Sequence, residues 1–538
     1  VSGWGDHLLI LPILVPLIAG AVMILIGERR RRTLAALGVV STLAVAALAL
    51  ALLGIAGTAE PGAMVRVYRL GDWPAAFGIV LVLDRLAAVM LVLTSVLALA
   101  ALVFALARWH RAGTYFHPLF QFQIMGLNGA FLTGDLFNLF VFFEVMLAAS
   151  YGLALHGSTR LRVQSAMHYI VINLVASLLF LIGVSVIYGV TGTLNMADLA
   201  GRIPSIAAAD RGLMEAGCAV LGVAFVIKAA IWPLGFWLPT TYAAASAPAA
   251  AMLSILSKVG IYAILRLWLL LFGDDAGASA GFGGTWLLVG GLATIGFGSV
   301  VVLAAQSAAR LVGGCVLVSS GTLLAAIAMG VVGVTQGALF YLASSVLGIA
   351  AFFLLIELFE RGRDAGADVL AVTREAFGEE DEVLSESEES AGIAIPVGTA
   401  VLGLSFIACA LILAGLPPLS GFVGKLAMLV PLLAPGEAPS AGAWVLLGAL
   451  LVSGLVTTIA MVRTGIDVFW ASPDSVARIR LVEIGPVLLL LGLCIALTAK
   501  PQPVMQYLGA AAASLHQPQD YAGGVPTDRP PPGEGKAR

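Results

Sequence analysis

Fourteen apolar stretches, each about as long as a bilayer-crossing helix, follow one another between residues 8 and 499. They run roughly over 8–27, 33–56, 79–106, 116–133, 134–155, 164–189, 213–246, 248–272, 284–306, 310–332, 336–360, 395–432, 442–470 and 481–499. A helix needs about 20 apolar residues to cross the hydrocarbon core. Inside a bilayer every backbone N–H and C=O must find its partner within the protein, so stretches of this length fold as helices. The expected fold class is therefore an all-α polytopic membrane protein embedded in the lipid bilayer. Only 11% of residues are charged, which excludes an ordinary soluble domain. The net charge of -3 carries no nucleic-acid signature. The first stretch is followed by Arg29–Arg32 and a second long apolar run, the pattern of a retained span rather than a cleaved signal peptide.

Two of the stretches are interrupted. The seventh breaks near Trp232-Pro233, and the twelfth breaks across residues 415–421, GLPPLSG. A lysine lies close to each break, Lys228 and Lys425. Broken helices survive at membrane depth only where protein or a polar cavity surrounds them. Paired interruptions in two halves of a chain point to a transport site.

Further charges lie where a membrane protein should avoid them. Glu144 is nine residues past Asp135, about 13–14 Å along a helix at 1.5 Å per residue. Lys258 is ten residues past Pro248, at a similar depth. A lysine at the centre of a bilayer costs at least about 2.5–3.5 kcal/mol, so such residues are kept for use. A carboxylate and an ammonium about 4 Å apart attract by about 4 kcal/mol at an effective dielectric near 20. Glu144, Lys228, Lys258 and Lys425 are thus read as members of a proton relay. Asp84-Arg85, at the start of the third stretch, reads as an interfacial pair, Arg266 as a snorkelling side chain, and His168 as an interfacial or packing residue. The four cysteines, Cys218, Cys315, Cys409 and Cys494, sit in apolar runs without metal spacing, so no redox cofactor is expected.

Loop charges set an orientation. Fifteen arginines (29–32, 108, 111, 160, 162, 310, 361, 363, 374, 463, 478 and 480) fall on one side, against Arg66, Arg69, Arg202, Arg211 and Lys500 on the other. The positive-inside rule makes the first side cytoplasmic and puts both termini outside. The loop at 361–393 is acidic and reads as a solvated segment or a docking surface for a neighbouring subunit. The tail, 501–538, reads as extracytoplasmic and disordered.

Three motifs carry a family resemblance: DLFNLFVFFE at 135–144, KAAIWPLGFWLP at 228–239 running on to SKVGIYAILR at 257–266, and GLPPLSGFVGK at 415–425. With these the chain resembles the antiporter-like subunits shared by Mrp-type multisubunit cation/proton antiporters and respiratory complex I. The resemblance covers roughly residues 1–500. It implies spans one to three over 1–112, two inverted five-helix repeats over 113–272 and 273–470, and a last span over 471–500. It also implies that Glu144 pairs with Lys228, that Lys258 is the central relay and that Lys425 is the terminal one. Within the family the details are similar to D-type Mrp subunits: complex I relatives usually carry a histidine where Gly235 stands and an aspartate where Thr240 stands. No counterpart of the long C-terminal domain of the A-type Mrp protein, or of the lateral helix of the largest complex I subunit, is seen.

The expected function is a secondary-transport subunit, not an enzyme, exporting Na⁺ or K⁺ coupled to proton uptake. Its implied partners are a larger A-type homologue and small membrane subunits. The alternative is a proton-pumping subunit of a complex I-like oxidoreductase or membrane-bound hydrogenase; a purely structural scaffold leaves the deep charges unexplained. The family's eleventh span commonly carries histidines and a lysine. Here that span reads YLASSVLGIAAFFL, and Ser344 and Ser345 are the expected holders of a water chain towards Lys425.

Overall fold

The described residues fold almost wholly into helices, and local sequence sets where several of them begin. The computed structural model describes residues 6–58, 65–73, 78–363, 397–434, 439–469 and 480–525. Helices α1 (Leu11–Ile26) and α2 (Arg31–Gly57) are joined by a turn at Gly27. A short antiparallel hairpin, β1 (Arg66–Arg69) and β2 (Val80–Leu83), leads into α3 (Arg85–Leu106). Then follow α4 (Phe116–Leu132), α5 (Leu136–Ala154), α6 (Arg160–Thr191) and the short α7 (Met196–Arg202). Asp84, Asp135, Thr159 and Asn195 cap α3, α5, α6 and α7, each accepting from an exposed backbone N–H of the first turn.

The seventh stretch is two helices, α8 (Ala208–Lys228) and α9 (Trp237–Ala244), with non-helical backbone between them. Next come α10 (Ala247–Phe272), α11 (Gly284–Ala304), α12 (Ala308–Ala328) and α13 (Val332–Arg363). The twelfth stretch divides likewise into α14 (Val397–Ala414) and α15 (Ser420–Leu432). Helices α16 (Ala441–Phe469) and α17 (Leu481–Ala499) close the membrane part. Each of the fourteen apolar stretches therefore carries helix, and both interruptions fall where proline and glycine place them. Of these helices, 11 are by themselves long and apolar enough to cross a membrane.

Helices α10, α12 and α13 form the centre, with 94% of each apolar window buried, whereas α2, α11 and α14 bury about a third. The outer helices turn Val171, Leu178, Val300 and Leu451 outwards, as a lipid-facing surface requires. Small residues bring helices into contact: a Cβ on Gly291 would meet the Ala325 nitrogen at 2.5 Å, and one on Gly183 would meet the Leu221 nitrogen at 2.7 Å. Close backbone approach of this kind replaces the hydrophobic driving force that lipid removes.

Three expectations change. The tail is not disordered through residue 525: α18 (Pro501–Leu515) and α19 (Pro518–Gly524) pack back onto the bundle. Gln336 Nε2 donates to the Met505 carbonyl at 2.9 Å, and Tyr521 is buried. Its Pro/Gly content conceals apolar side chains, Leu508, Leu515 and Tyr521, that find a surface only in the folded bundle. Second, Asp84 is buried and accepts from Arg266, 182 residues away, at 2.6 and 2.9 Å. Third, Arg266 does not snorkel: it is 5% exposed, held by Asp84 and the Tyr262 hydroxyl and covered by the Tyr521 ring. The tail helix thus closes over a buried ion pair. The acidic stretch from residue 364 to 393 lies outside the described residues.

Candidate functional site

The four deep charges lie along one line of elements, beginning on α5. Glu144 stands near the middle of that helix, with about a third of its side chain exposed at the bundle surface. Its carboxylate is 4.0 Å from the ammonium of Lys228, the last residue of α8. Ser177 of α6 bridges the two: it donates a short hydrogen bond to Glu144 and accepts one from Lys228 at 3.3 Å. The Lys228 ammonium also lies 5.0 Å from the centre of the Phe143 ring, a cation–π contact. A buried pair gains from attraction but loses water, so further partners decide whether it is stable. Ser177 and Phe143 supply them. Ser177 is not visible as a partner in the sequence, where it is one serine in an apolar run; only its depth on α6 matches it to Glu144.

Both broken helices end in the same way. Ala230 and Gly415 each adopt the left-handed conformation just past the helix (φ 57° and 74°). The next residue bonds back five positions, Ile231 to the Val226 carbonyl and Leu416 to the Leu411 carbonyl, each at 3.0 Å. These are Schellman closures, which satisfy carbonyls of the last turn of each half-helix. The chain then turns back tightly at a glycine. A Cβ on Gly235 would be 2.1 Å from the Ala230 oxygen, and one on Gly421 would be 1.9 Å from the Ile412 oxygen.

The two lysines are placed differently. Lys228 ends the first half-helix of its pair; Lys425 lies on the second half of its own. Lys425 nevertheless reaches back to donate to the Ala414 carbonyl, the end of α14, at 2.8 Å. The Lys425 ammonium therefore sits at the C-terminal end of a half-helix, where the helix dipole is negative, whereas the Lys228 ammonium is held by Glu144 and Ser177 of neighbouring helices.

Lys258 is wholly buried on α10. Its ammonium donates to Ser320 Oγ at 2.8 Å and to the Val316 carbonyl at 3.4 Å, both on α12. Among the described residues no carboxylate contacts it. The helices bearing Lys228 and Lys258 touch closely, since a Cβ on Gly260 would meet the Ala229 nitrogen at 2.8 Å. No hydrogen bond joins the two lysines among the described residues.

From Lys258 onwards two serine doublets carry the polar line. Consecutive residues on a helix point about 100° apart, at 3.6 residues per turn. Ser320 faces Lys258, while Ser319 faces α13 and donates to Ser345 at 3.0 Å. Ser345 Oγ donates to the Leu342 carbonyl at 3.1 Å, and its neighbour in sequence, Ser344, exchanges a 2.7 Å hydrogen bond with Ser420 at the start of α15. Beside this run lies a small cavity lined by Ser319, Ser345, Tyr341, Cys315 and Thr457. The residues lining it also include Leu413, next to the carbonyl that holds Lys425. Ser319, Ser320 and Tyr341 escape sequence reasoning. The doublet in VSSGT repeats the SS pattern of the eleventh span, and Tyr341 is a titratable side chain within that span. His168 makes only a local bond to the Gln164 carbonyl on an exposed face.

Residues 133–457 match the family described as NADH:quinone oxidoreductase/Mrp antiporter, TM. The chain belongs to that family. The matched stretch takes in both breaks and all four deep charges. Among curated proteins, the chain is 58% identical over 97% of its length to the D-type subunit of a probable K⁺/H⁺ antiporter of Rhizobium meliloti, covering 98% of that protein. It is 34% identical over 96% of its length to the D-type subunit of a Na⁺/H⁺ antiporter of Alkalihalophilus pseudofirmus, again covering 98%. Among solved structures, it superposes on a chain of the Mrp complex of a Dietzia species with a TM-score of 0.81 at 28% identity, covering 97% of this chain and 99% of that one.

Proposed function

We propose that this chain is the proton-translocating, D-type member of a multisubunit monovalent cation/proton antiporter. The observation that carries the reading is a line of largely buried polar side chains through the bundle: Glu144, Ser177 and Lys228, then Lys258 with Ser320, then Ser319, Ser345, Ser344 and Ser420 towards Lys425. The names of the relatives add the coupled ion, K⁺ in one and Na⁺ in the other. The protein exports one of these against proton uptake and is a transporter rather than a catalytic enzyme.

In this reading Glu144 takes up the proton and passes it to Lys228. Lys258 is the central station and Lys425 the last. Between Lys258 and Lys425, hydroxyls of both doublets order water in the cavity; a hydroxyl does not ionise usefully but both donates and accepts. The matching closures at Ala230 and Gly415 support two inverted five-helix repeats, over 113–272 and 273–470. The partly exposed Glu144, with Phe137 and Val141 exposed on the same helix, supports a neighbouring subunit at that face. The larger A-type homologue and small membrane subunits are its proposed company in the plasma membrane of a bacterium. Both termini are proposed to face outwards.

The decisive experiment reconstitutes the complete antiporter in vesicles and follows proton and cation flux together. Glu144→Gln, Lys258→Ala and Lys425→Ala should each stop proton-coupled Na⁺ or K⁺ flux in an assembled complex. Full coupled flux in all three would overturn the relay. A cysteine at Glu382 should be inert to impermeant reagents in whole cells; labelling there would overturn the orientation.

A further inference from the structure

Away from the lysine line, the turn between α1 and α2 and the segment after α3 line one concavity of about 490 Å³. Its walls are Arg29, Arg30, Arg31, Arg32, Thr33 and Arg111. Two bonds hold the walls together. The Tyr115 N–H donates to Glu28 at 2.7 Å, and Arg31 donates to the Arg111 carbonyl at 3.4 Å. Glu28 is thereby engaged by backbone. Among the described residues no carboxylate forms an ion pair with these five arginines. Orientation alone asks only that arginines lie on one side of the membrane; it does not gather five of the fifteen around one hollow.

A guanidinium presents a planar fork of donors that matches phosphate oxygens two at a time. The surface beside the hollow is apolar. Ile24 and Leu25 on the last turn of α1 are 49% and 86% exposed, and Val40 and Leu43 of α2 are 63% and 48% exposed. A cationic hollow at the ends of two helices that carry exposed apolar side chains matches a molecule with an anionic head and hydrocarbon tails. We propose that this concavity binds the phosphodiester head group of an anionic phospholipid, with its acyl chains along α1 and α2. Basic pockets between membrane helices are suited to such head groups by charge and position. The site lies on the arginine-rich side, and it does not depend on the transport reading.

The test uses the purified antiporter in discs of phosphatidylcholine with or without phosphatidylglycerol, and counts retained phosphatidylglycerol by mass spectrometry. Arg32→Gln with Arg111→Gln removes two walls and leaves Arg29, Arg30 and Arg31 to preserve orientation. Each arginine near an anionic surface contributes roughly fivefold in affinity, so the double variant should bind about 30-fold more weakly. Arg310→Gln, an exposed arginine elsewhere, is the control and should retain the lipid. Equal retention in the double variant, or equal loss in the control, would overturn the site. Inorganic phosphate alone is the second probe: if it displaces the lipid at comparable concentration, the hollow is a soluble-anion site and the lipid assignment fails.

Discussion

Lys425 and Ala414 lie on opposite sides of a helix break, and the ammonium of one is bonded to the carbonyl of the other at 2.8 Å. The lysine thereby closes the open end of the half-helix before it. Gly415 makes the approach possible, because a Cβ there would be 2.6 Å from Lys425 Cδ and the backbone is left-handed. Gly415→Ala should therefore impair coupled transport nearly as severely as Lys425→Ala, while both proteins assemble. The measurement is cation-driven proton uptake in vesicles, with complex size checked by chromatography. Normal uptake in Lys425→Ala, with none in Lys258→Ala, would place the exit elsewhere.

Ser177 holds both members of the Glu144–Lys228 pair. Ser177→Ala should keep the pair but loosen it, at a cost of about 1.5–3 kcal/mol for hydrogen bonds to charged groups. Transport should fall by about tenfold or more at 1.4 kcal/mol per decade, if that cost falls on the rate-limiting transfer. Glu144→Gln should abolish transport and Glu144→Asp should keep part of it. A Ser177→Ala rate equal to that of the unchanged protein would assign the serine a packing role only.

Each serine doublet hands the line from one helix to the next. Ser319→Ala and Ser345→Ala remove the two ends of one 3.0 Å bond, so the double variant should slow transport no more than the worse single variant. Ser344→Ala with Ser345→Ala should slow it further, since Ser344 serves Ser420 separately. Simple addition of the Ser319 and Ser345 effects would show that they act on different steps. Proton flux at matched protein density is the readout.

The Asp84–Arg266 pair is buried beneath the tail helix. Removing one member leaves the other charge uncompensated, which costs about 3–5 kcal/mol. Asp84→Asn or Arg266→Met should lower the melting temperature and expose the tail to protease. The double variant should recover part of the loss, because an apolar pair need not be hydrated. Undiminished stability in both single variants would contradict the burial of the pair.

His516 docks the tail through a 2.9 Å bond to Thr335. Burial holds its imidazole below the ordinary value of about 6.5, with nearby Asp274 opposing in part. The unfolded state therefore binds more protons in the interval below that value, and stability rises with pH there. Tail docking should be complete above about pH 6.5 and weaken as pH falls through it. Hydrogen exchange at residues 505–516 measures this, and His516→Gln should flatten the profile.

The class of fold is dictated by sequence alone, because apolar length leaves backbone groups no partner but one another. Sequence also locates both breaks, since proline and glycine at 233, 415, 417 and 418 interrupt helix locally. The depth of Glu144, Lys228, Lys258 and Lys425 is legible too, as charge in an apolar run costs wherever it is placed. What the chain cannot disclose is facing. Whether Asp84 meets Arg266, whether Leu508 and Tyr521 find a surface, and which serine of each doublet looks at which helix depend on rotations about helix axes. Those rotations are set by close contacts between distant segments, such as Gly291 on Ala325 and Gly260 on Ala229. Ser319 and Ser345 are 26 residues apart and become neighbours only once α12 and α13 are packed.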